Sequence, residues 1–128
     1  MIVLDASVAV DFLLRGQNRR PQLDMLRRED IHAPYLADVE VLHSLRRQSF
    51  LNSVEPERLE EMMSNLAGWK ITFHPHRPYL KRVWSLRHRC TAYDAFYVAL
   101  AEALGCPLLT ADGHLARAVQ GIIPVELV

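Results

Sequence analysis

The strongest constraint on this chain is an alternation. Short aliphatic runs, MIVL at 1–4, IHAP at 31–34, KITF at 70–73, PLLTA at 107–111 and IIPVEL at 122–127, are separated by segments with helical spacing. Runs this short and apolar suit strands buried on both faces. Parallel neighbours need a long crossover, usually a helix, so the alternation predicts an α/β fold with a central, mainly parallel sheet and helices on both sides. The intervening helices are expected over Ala6–Leu14 (ending near Gly16), Pro21–Glu29 with Leu23 and Leu26 inward, and Tyr35 to about Phe50. A further helix opens at Ser53–Pro56 and carries Leu59, Met62, Met63 and Leu66 at helical spacing; Gly68 stops it. Tyr79–His88 and His114–Val119 complete the set, with a helix between them capped by Thr91 and closed by Gly105. Pro124 cannot donate to a ladder, which puts the last strand at an edge. The chain has 128 residues and shows no repeat, low-complexity tract or linker, so residues 1–128 are read as one domain.

Composition removes some function classes. Fifteen basic residues balance fifteen acidic ones, so no bulk charge argues for nucleic-acid binding. Lys70 and Lys81 are the only lysines, and 13 of the 15 basic residues are arginine, whose planar fork suits phosphate; biased composition explains the same count. Cys90 and Cys106 form no disulfide framework, which fits a reduced cytoplasmic compartment. MIVLDASVAVDFLLRG carries Asp5 and Asp11 and lacks a basic leader, and no apolar run is long enough to span a bilayer, so no membrane role is expected.

The acids are the informative residues. From Ala92 to Leu104 only Asp94 and Glu102 are charged, in a helix with almost no polar face. Thr91 and Asp94 form T-x-x-D, a capping-box pattern, and an acid there also complements the helix dipole. Asp5 and Asp112 stand just before helices, where either could be an N-cap, and Glu40 lies in an early turn of its helix. Each acid therefore has an ordinary structural role. Two of them, however, end apolar strands and two lie near helix starts, so all four can face the carboxyl edge of the sheet, where parallel α/β folds place ligands. Converging carboxylates repel and need protons or a cation. Oxygen-only ligands favour Mg²⁺ or Mn²⁺ over zinc, and such ions serve phosphodiester hydrolysis. Ser7 and Thr110, two residues from Asp5 and Asp112, have hydroxyls suited to orient a carboxylate.

MIVLDASV, ADVEVLHSLRR at 37–47, TAYDAFYVALAEALGCPLLTAD at 91–112 and HLARAV together resemble the PIN-domain ribonucleases, most closely the VapC toxins of toxin–antitoxin modules. The likeness runs across the whole chain in order and spacing. It implies an α/β/α sandwich and a Mg²⁺- or Mn²⁺-dependent endoribonuclease. Asp5, Glu40 and Asp94 match the family's core metal-binding acids, Asp112 its more variable fourth acid, and Ser7 and Thr110 its hydroxyl positions. The resemblance also implies a homodimer and a VapB-type antitoxin that blocks the cleft, often with a basic side chain among the acids. RNA as the substrate comes only from this resemblance.

An acidic site that cuts a polyanion needs a positive rim. Candidates are Arg46 and Arg47 on the Glu40 helix and Arg82, Arg87, His88 and Arg89 ahead of Asp94, although exposed arginines are common on solvated faces. Tyr93 and Trp84 could stack on a base but are expected in the core. His74-Pro-His76 is a weak zinc pair. A receiver-like regulatory domain also has an acidic Mg²⁺ pocket, but it wants paired acids after the first strand and a lysine after a late one; LDAS has one acid, and neither lysine follows PLLTA. The remaining alternatives are a non-catalytic PIN-like interaction domain, whose mark would be lost acids, and cleavage of DNA rather than RNA.

Overall fold

The structure, a computed structural model, describes residues 1–15, 26 and 29–128. The helix expected over Pro21–Glu29, apart from Leu26 and Glu29, lies outside the described residues, as does the stop at Gly16. Five strands form one sheet: β1 (Ile2–Leu4), β2 (Ile31–Pro34), β3 (Ile71–His74), β4 (Leu108–Thr110) and β5 (Val125–Leu127). Their order is β3-β2-β1-β4-β5, and every pairing is parallel. The central β1 is buried along its length, as its unbroken aliphatic run requires.

The helices are α1 (Ala6–Arg15), α2 (Leu36–Phe50), α3 (Pro56–Ala67), α4 (Leu80–Ser85), α5 (Ala92–Leu104) and α6 (Gly113–Ala118). One group, α1 with α2 and α3, packs together; α4 packs on α5, which lies along β1, β2 and β4. From β1 the chain moves outward to β2 and β3, then returns to β4 and continues to β5. Right-handed crossovers put connections that run in opposite directions on opposite faces. The strand order therefore reverses between β1 and β4, and the crevice beyond their carboxyl ends is the expected ligand position.

Helix α5 is the main packing element. Ala95, Tyr97, Val98, Ala99, Leu100 and Ala101 are buried, all but Ala99 completely. The Thr91 side chain accepts a hydrogen bond from the Asp94 amide at 3.2 Å, and Gly105 ends the helix at φ 62°, a left-handed conformation glycine adopts without strain.

Two core expectations are corrected. Trp84 is 69% exposed and Tyr93 65% exposed. Helix α4 is shorter than the expected Tyr79–His88, because a 3-10 turn covers Arg77–Tyr79 and the helix stops at Ser85. The inward side belongs to Val83 and to Leu86 just past the helix end, and neighbouring Trp84 is exposed, with the Arg87 guanidinium 4.9 Å above its ring. Tyr93 lies in the first turn of α5, where it is exposed. Among the apolar residues on and beside α2 and α3, Met62 is core, whereas Phe50, Leu51 and Met63 are exposed.

Candidate active site

Beyond the carboxyl ends of β1 and β4 lies a cavity of about 550 Å³, lined by Asp5, Ser7, Glu40, Asp94 and Asp112, with Val39, His43, Ser44 and Tyr93 at its sides. All four acids singled out by position thus border one space. They are presented in two different ways.

Asp5 follows β1 and is 5% exposed. Its backbone carbonyl accepts from Val8 and Ala9, so it occupies the N-cap position of α1. Its carboxylate serves another purpose. Ser7 Oγ and Thr110 Oγ1 both donate to Oδ2, each at 2.6 Å. The two hydroxyls are themselves held: Ser7 Oγ accepts from the Ala111 amide and Thr110 Oγ1 from the Asp112 amide, both at 3.0 Å. Thr110, fully buried, does not line the cavity; it ties β4 to Asp5 from behind. Asp112 is the N-cap of α6, with Oδ1 accepting from the His114 amide at 2.7 Å and the Leu115 amide at 3.2 Å.

Glu40 and Asp94 come from helices and are half-buried. Burial pushes the Glu40 carboxyl up to about 7; repulsion from Asp5 and Asp94 adds to this, and a hydrogen bond from Tyr97 opposes it. The Tyr97 hydroxyl donates to Glu40 Oε1 at 3.1 Å. Burial and the neighbouring Glu40 and Asp5 charges push the Tyr97 phenol up as well, so it remains a donor. Asp94 is raised by burial and by Asp5 and Asp112, against a hydrogen bond from Thr91. An acid that only completed a cap would gain from the helix dipole and its hydrogen bonds. Here Thr91 caps the helix through the Asp94 amide and also hydrogen-bonds the Asp94 carboxyl, which nonetheless stays raised and lines the cavity with the other carboxylates.

Sequence reasoning missed Tyr97, His43 and Ser44. Tyr97 lies three residues after Asp94, one turn along the same side of α5, and a buried phenol needs a partner. His43 and Ser44 stand three and four residues after Glu40, on the same face of α2.

A profile of the PIN domain matches residues 2–120. Ribonuclease VapC12 of Mycobacterium tuberculosis is 37% identical over 128 residues, spanning 100% of this chain and 99% of its own length. Ribonuclease VapC9 of the same organism is 39% identical over 132 residues, with 100% and 98% covered. The chain belongs to the PIN-domain family. Its full-length relatives carry the name VapC ribonuclease. The fold agrees with that of solved structures. VapBC2 from Rickettsia felis, bound to a DNA fragment from its promoter, superposes with a TM-score of 0.73 at 14% identity, covering 100% of this chain and 99% of that one. VapC20 of M. tuberculosis, described as a sarcin–ricin loop cleaving toxin, gives 0.68 at 14% identity, with 92% and 95% covered.

Within this PIN domain the acid set tests well, by chemistry, as a cation site. Its donors are oxygens, and among the described residues no Lys or Arg lines the cavity. The Glu40 and Asp94 carboxyls are raised first by burial and then by neighbouring negative charges, and a cation in the cavity would oppose both effects. Among the described residues no three acids converge closely enough to enclose an ion by themselves. Mg²⁺ and Mn²⁺ can be held through few carboxylates with water completing the shell, and an oxygen-only lining is compatible with either.

The arginines stand elsewhere. Arg46, Arg47, Arg87 and Arg89 are exposed, and none lines the PIN-domain cavity. Arg46 lies over the Phe50 ring at 4.6 Å, and Arg87 donates to the Trp84 carbonyl at 3.1 Å. The H-P-H zinc pair is corrected: His74 Nε2 lies 2.8 Å from His32 Nδ1, whereas His76 Nε2 accepts from the Leu36 amide at 3.0 Å. The two rings have separate partners. His114 likewise is absent from the cavity lining; its Nδ1 is 3.2 Å from Arg117.

Proposed function

We propose that the protein is the ribonuclease toxin of a toxin–antitoxin module, a single PIN domain over residues 1–128 that hydrolyses RNA phosphodiesters with Mg²⁺ or Mn²⁺. The observation that carries this reading is the cavity at the strand-order reversal, bordered by Asp5, Glu40, Asp94 and Asp112 and by no cationic side chain among the described residues. Asp5, Glu40 and Asp94 would hold the ion, with Asp112 as the fourth acid. When bound, the ion supplies Lewis acidity at the scissile phosphate and a nucleophile from water at neutral pH.

The chain's own residues divide the remaining work. Ser7 and Thr110 fix one oxygen of Asp5, leaving the other for the cavity. Tyr97 fixes one oxygen of Glu40 in the same way. Asp112 gives one oxygen to the first turn of α6. Arg46, Arg47, Arg87 and Arg89 would meet the RNA backbone away from the cut, since they lie outside the cavity. A VapB-type antitoxin that inserts a basic side chain would relieve the same repulsion the ion relieves. The VapBC complexes among the structural neighbours support an antitoxin partner. A homodimer in the cytoplasm completes the reading; no described helix is long and apolar enough to cross a membrane. A receiver-like regulatory role is disfavoured, because no lysine reaches the acids.

The test is cleavage of end-labelled structured RNA by the purified protein, with Mg²⁺ or Mn²⁺ against EDTA, beside a matched DNA and an Asp5→Asn control. Metal-dependent cutting of RNA alone, lost in the variant, is expected. A folded, antitoxin-free protein that cuts nothing under either metal would overturn the nuclease reading.

A further inference from the structure

We propose that His76 is a positioning residue for the acid cluster: it clamps together the two helices that carry Glu40 and Asp94. The inference rests on the nuclease reading above for its functional consequence, and on geometry for the clamp itself.

The first turn of α2 lacks a cap of its own. Tyr35 precedes the helix in helical conformation, and its side chain makes no capping hydrogen bond. Helix N-termini present amides that need acceptors. Here they are met from outside the helix. The Tyr35 amide donates to the His74 carbonyl at 3.0 Å, and the Leu36 amide donates to His76 Nε2 at 3.0 Å. Two consecutive amides at the head of α2 are therefore fastened to the end of β3. To accept at Nε2 the imidazole must carry its proton on Nδ1. Glu40 follows Leu36 by one turn, so the orientation of its carboxylate depends on where that turn is held.

The same ring also touches the other acid-bearing helix. Its centroid lies 4.6 Å from that of Phe96, two residues after Asp94, at an interplanar angle of 45°. Tyr35 packs edge-on at 6.2 Å, so the ring is flanked by α2's entrance on one side and α5 on the other. The segment that presents it is stiff: Pro75 and Pro78 fix two φ angles in His74–Pro78. Its upstream end is anchored by the His32–His74 contact between β2 and β3. One short, rigid connection thus sets the distance between α2 and α5 at the level of the acids. Metal affinity is sensitive to such supports, which typically change it by about 10–100-fold when lost.

The experiment compares His76→Ala with His76→Gln in the full chain. Gln places a carbonyl oxygen near the position of Nε2 and can accept from the Leu36 amide; Ala cannot. Mn²⁺ affinity, RNA cleavage and amide hydrogen exchange in the first turn of α2 are measured on folded protein. His76→Ala should weaken Mn²⁺ binding by about tenfold, lower kcat more than it raises KM, and speed exchange at Leu36. His76→Gln should recover most of each. Mn²⁺ affinity and kcat unchanged in a folded His76→Ala protein, even one with a lower Tm, would overturn the proposal and leave a purely structural histidine. Failure of Gln to recover what Ala loses would overturn the capping step. A wild type that neither cuts RNA nor binds Mn²⁺, with α2 exchange still faster in His76→Ala, would sink the nuclease reading and keep the clamp.

Discussion

The acids at the strand ends and the acids on the helices do opposite things for the fold. Asp5 and Asp112 are held by donors: two hydroxyls on one, two helix amides on the other. Each is part of the framework that joins β1, β4 and α6. Glu40 and Asp94 face the cavity half-buried, with carboxyls pushed above their ordinary range by burial and by neighbouring carboxylates, Asp5 and Asp94 for Glu40, Asp5 and Asp112 for Asp94. The first pair is tied into the framework by its donors. The second pair carries raised carboxyls, which a bound cation would favour in their charged form. A site built this way holds part of its carboxylate set in place and leaves part of it in want of a ligand.

The largest effects should fall on activity and be shared by both pairs. Asp5→Asn is expected to lower metal-dependent cleavage by more than about a hundredfold, beyond the loss typical of residues that merely support a ligand. It should also lower stability by about 1–3 kcal/mol, because Ser7 and Thr110 lose a charged acceptor. Asp94→Asn should lose cleavage as completely while its metal-free Tm stays level or rises, since repulsion is relieved and Thr91 still caps α5. Tm and cleavage measured on both variants test the contrast. Equal loss of stability in the two would abolish it and return Asp94 to the role of a cap acid.

The next effect concerns pH. Glu40 titrates near 7 in the folded protein against an ordinary value of 4.5. Between those values the native state holds a proton that the unfolded chain has released, so stability falls as pH rises. Its contribution is fully present below the ordinary value and lost as pH passes through about 7. At a half-buried site, with solvent screening, the loss should be on the order of 1–2 kcal/mol. Metal-free denaturation from about pH 5 to about pH 8 should show this decline, and Glu40→Gln should flatten it. Saturating Mn²⁺ should also flatten it in the wild type. A rise in stability over that range, removed by Glu40→Gln, would mean that the fold favours the charged form of Glu40, against the direction set by burial.

Much of this division was out of reach of the sequence. Strand ends and helix starts were legible, because MIVL and PLLTA are short aliphatic runs and Thr91 and Gly105 punctuate α5. That placed Asp5, Glu40, Asp94 and Asp112 at one edge of the sheet. It did not say which acid would be hydrogen-bonded and which repelled, since an acid before a helix looks the same in both cases. Trp84 and Tyr93 were expected inside because large aromatics usually are; in a helix as short as α4, Val83 and Leu86 suffice for the inward side. His76 is hidden in a histidine pair that suggests a metal, and only the partners of the two rings, His32 for His74 and the Leu36 amide for His76, show them diverging. Tyr97 was more accessible: a tyrosine in the most buried helix, one turn from an acid, calls for a polar neighbour.

Tyr97 also gives the smallest and most selective test of the comparison. Its hydroxyl is the one donor described for Glu40 and is the influence that lowers that carboxyl against burial and repulsion. Tyr97→Phe deletes the oxygen and keeps the ring, which is fully buried and should still fill its place. Glu40 should then titrate higher. Stability at low pH, where Glu40 is protonated, should fall by about 1 kcal/mol or less, the net worth of an ordinary hydrogen bond. Cleavage should fall by about tenfold at neutral pH and recover as pH rises, because more alkaline solution is needed to ionise Glu40 for a cation. The check is a pair of pH–rate profiles, wild type against Tyr97→Phe. An unshifted profile with lower activity would mean that Tyr97 orients Glu40 without setting its charge. A shift toward acid would mean that Glu40 gains ionisation when the donor is removed, against the order of effects described here.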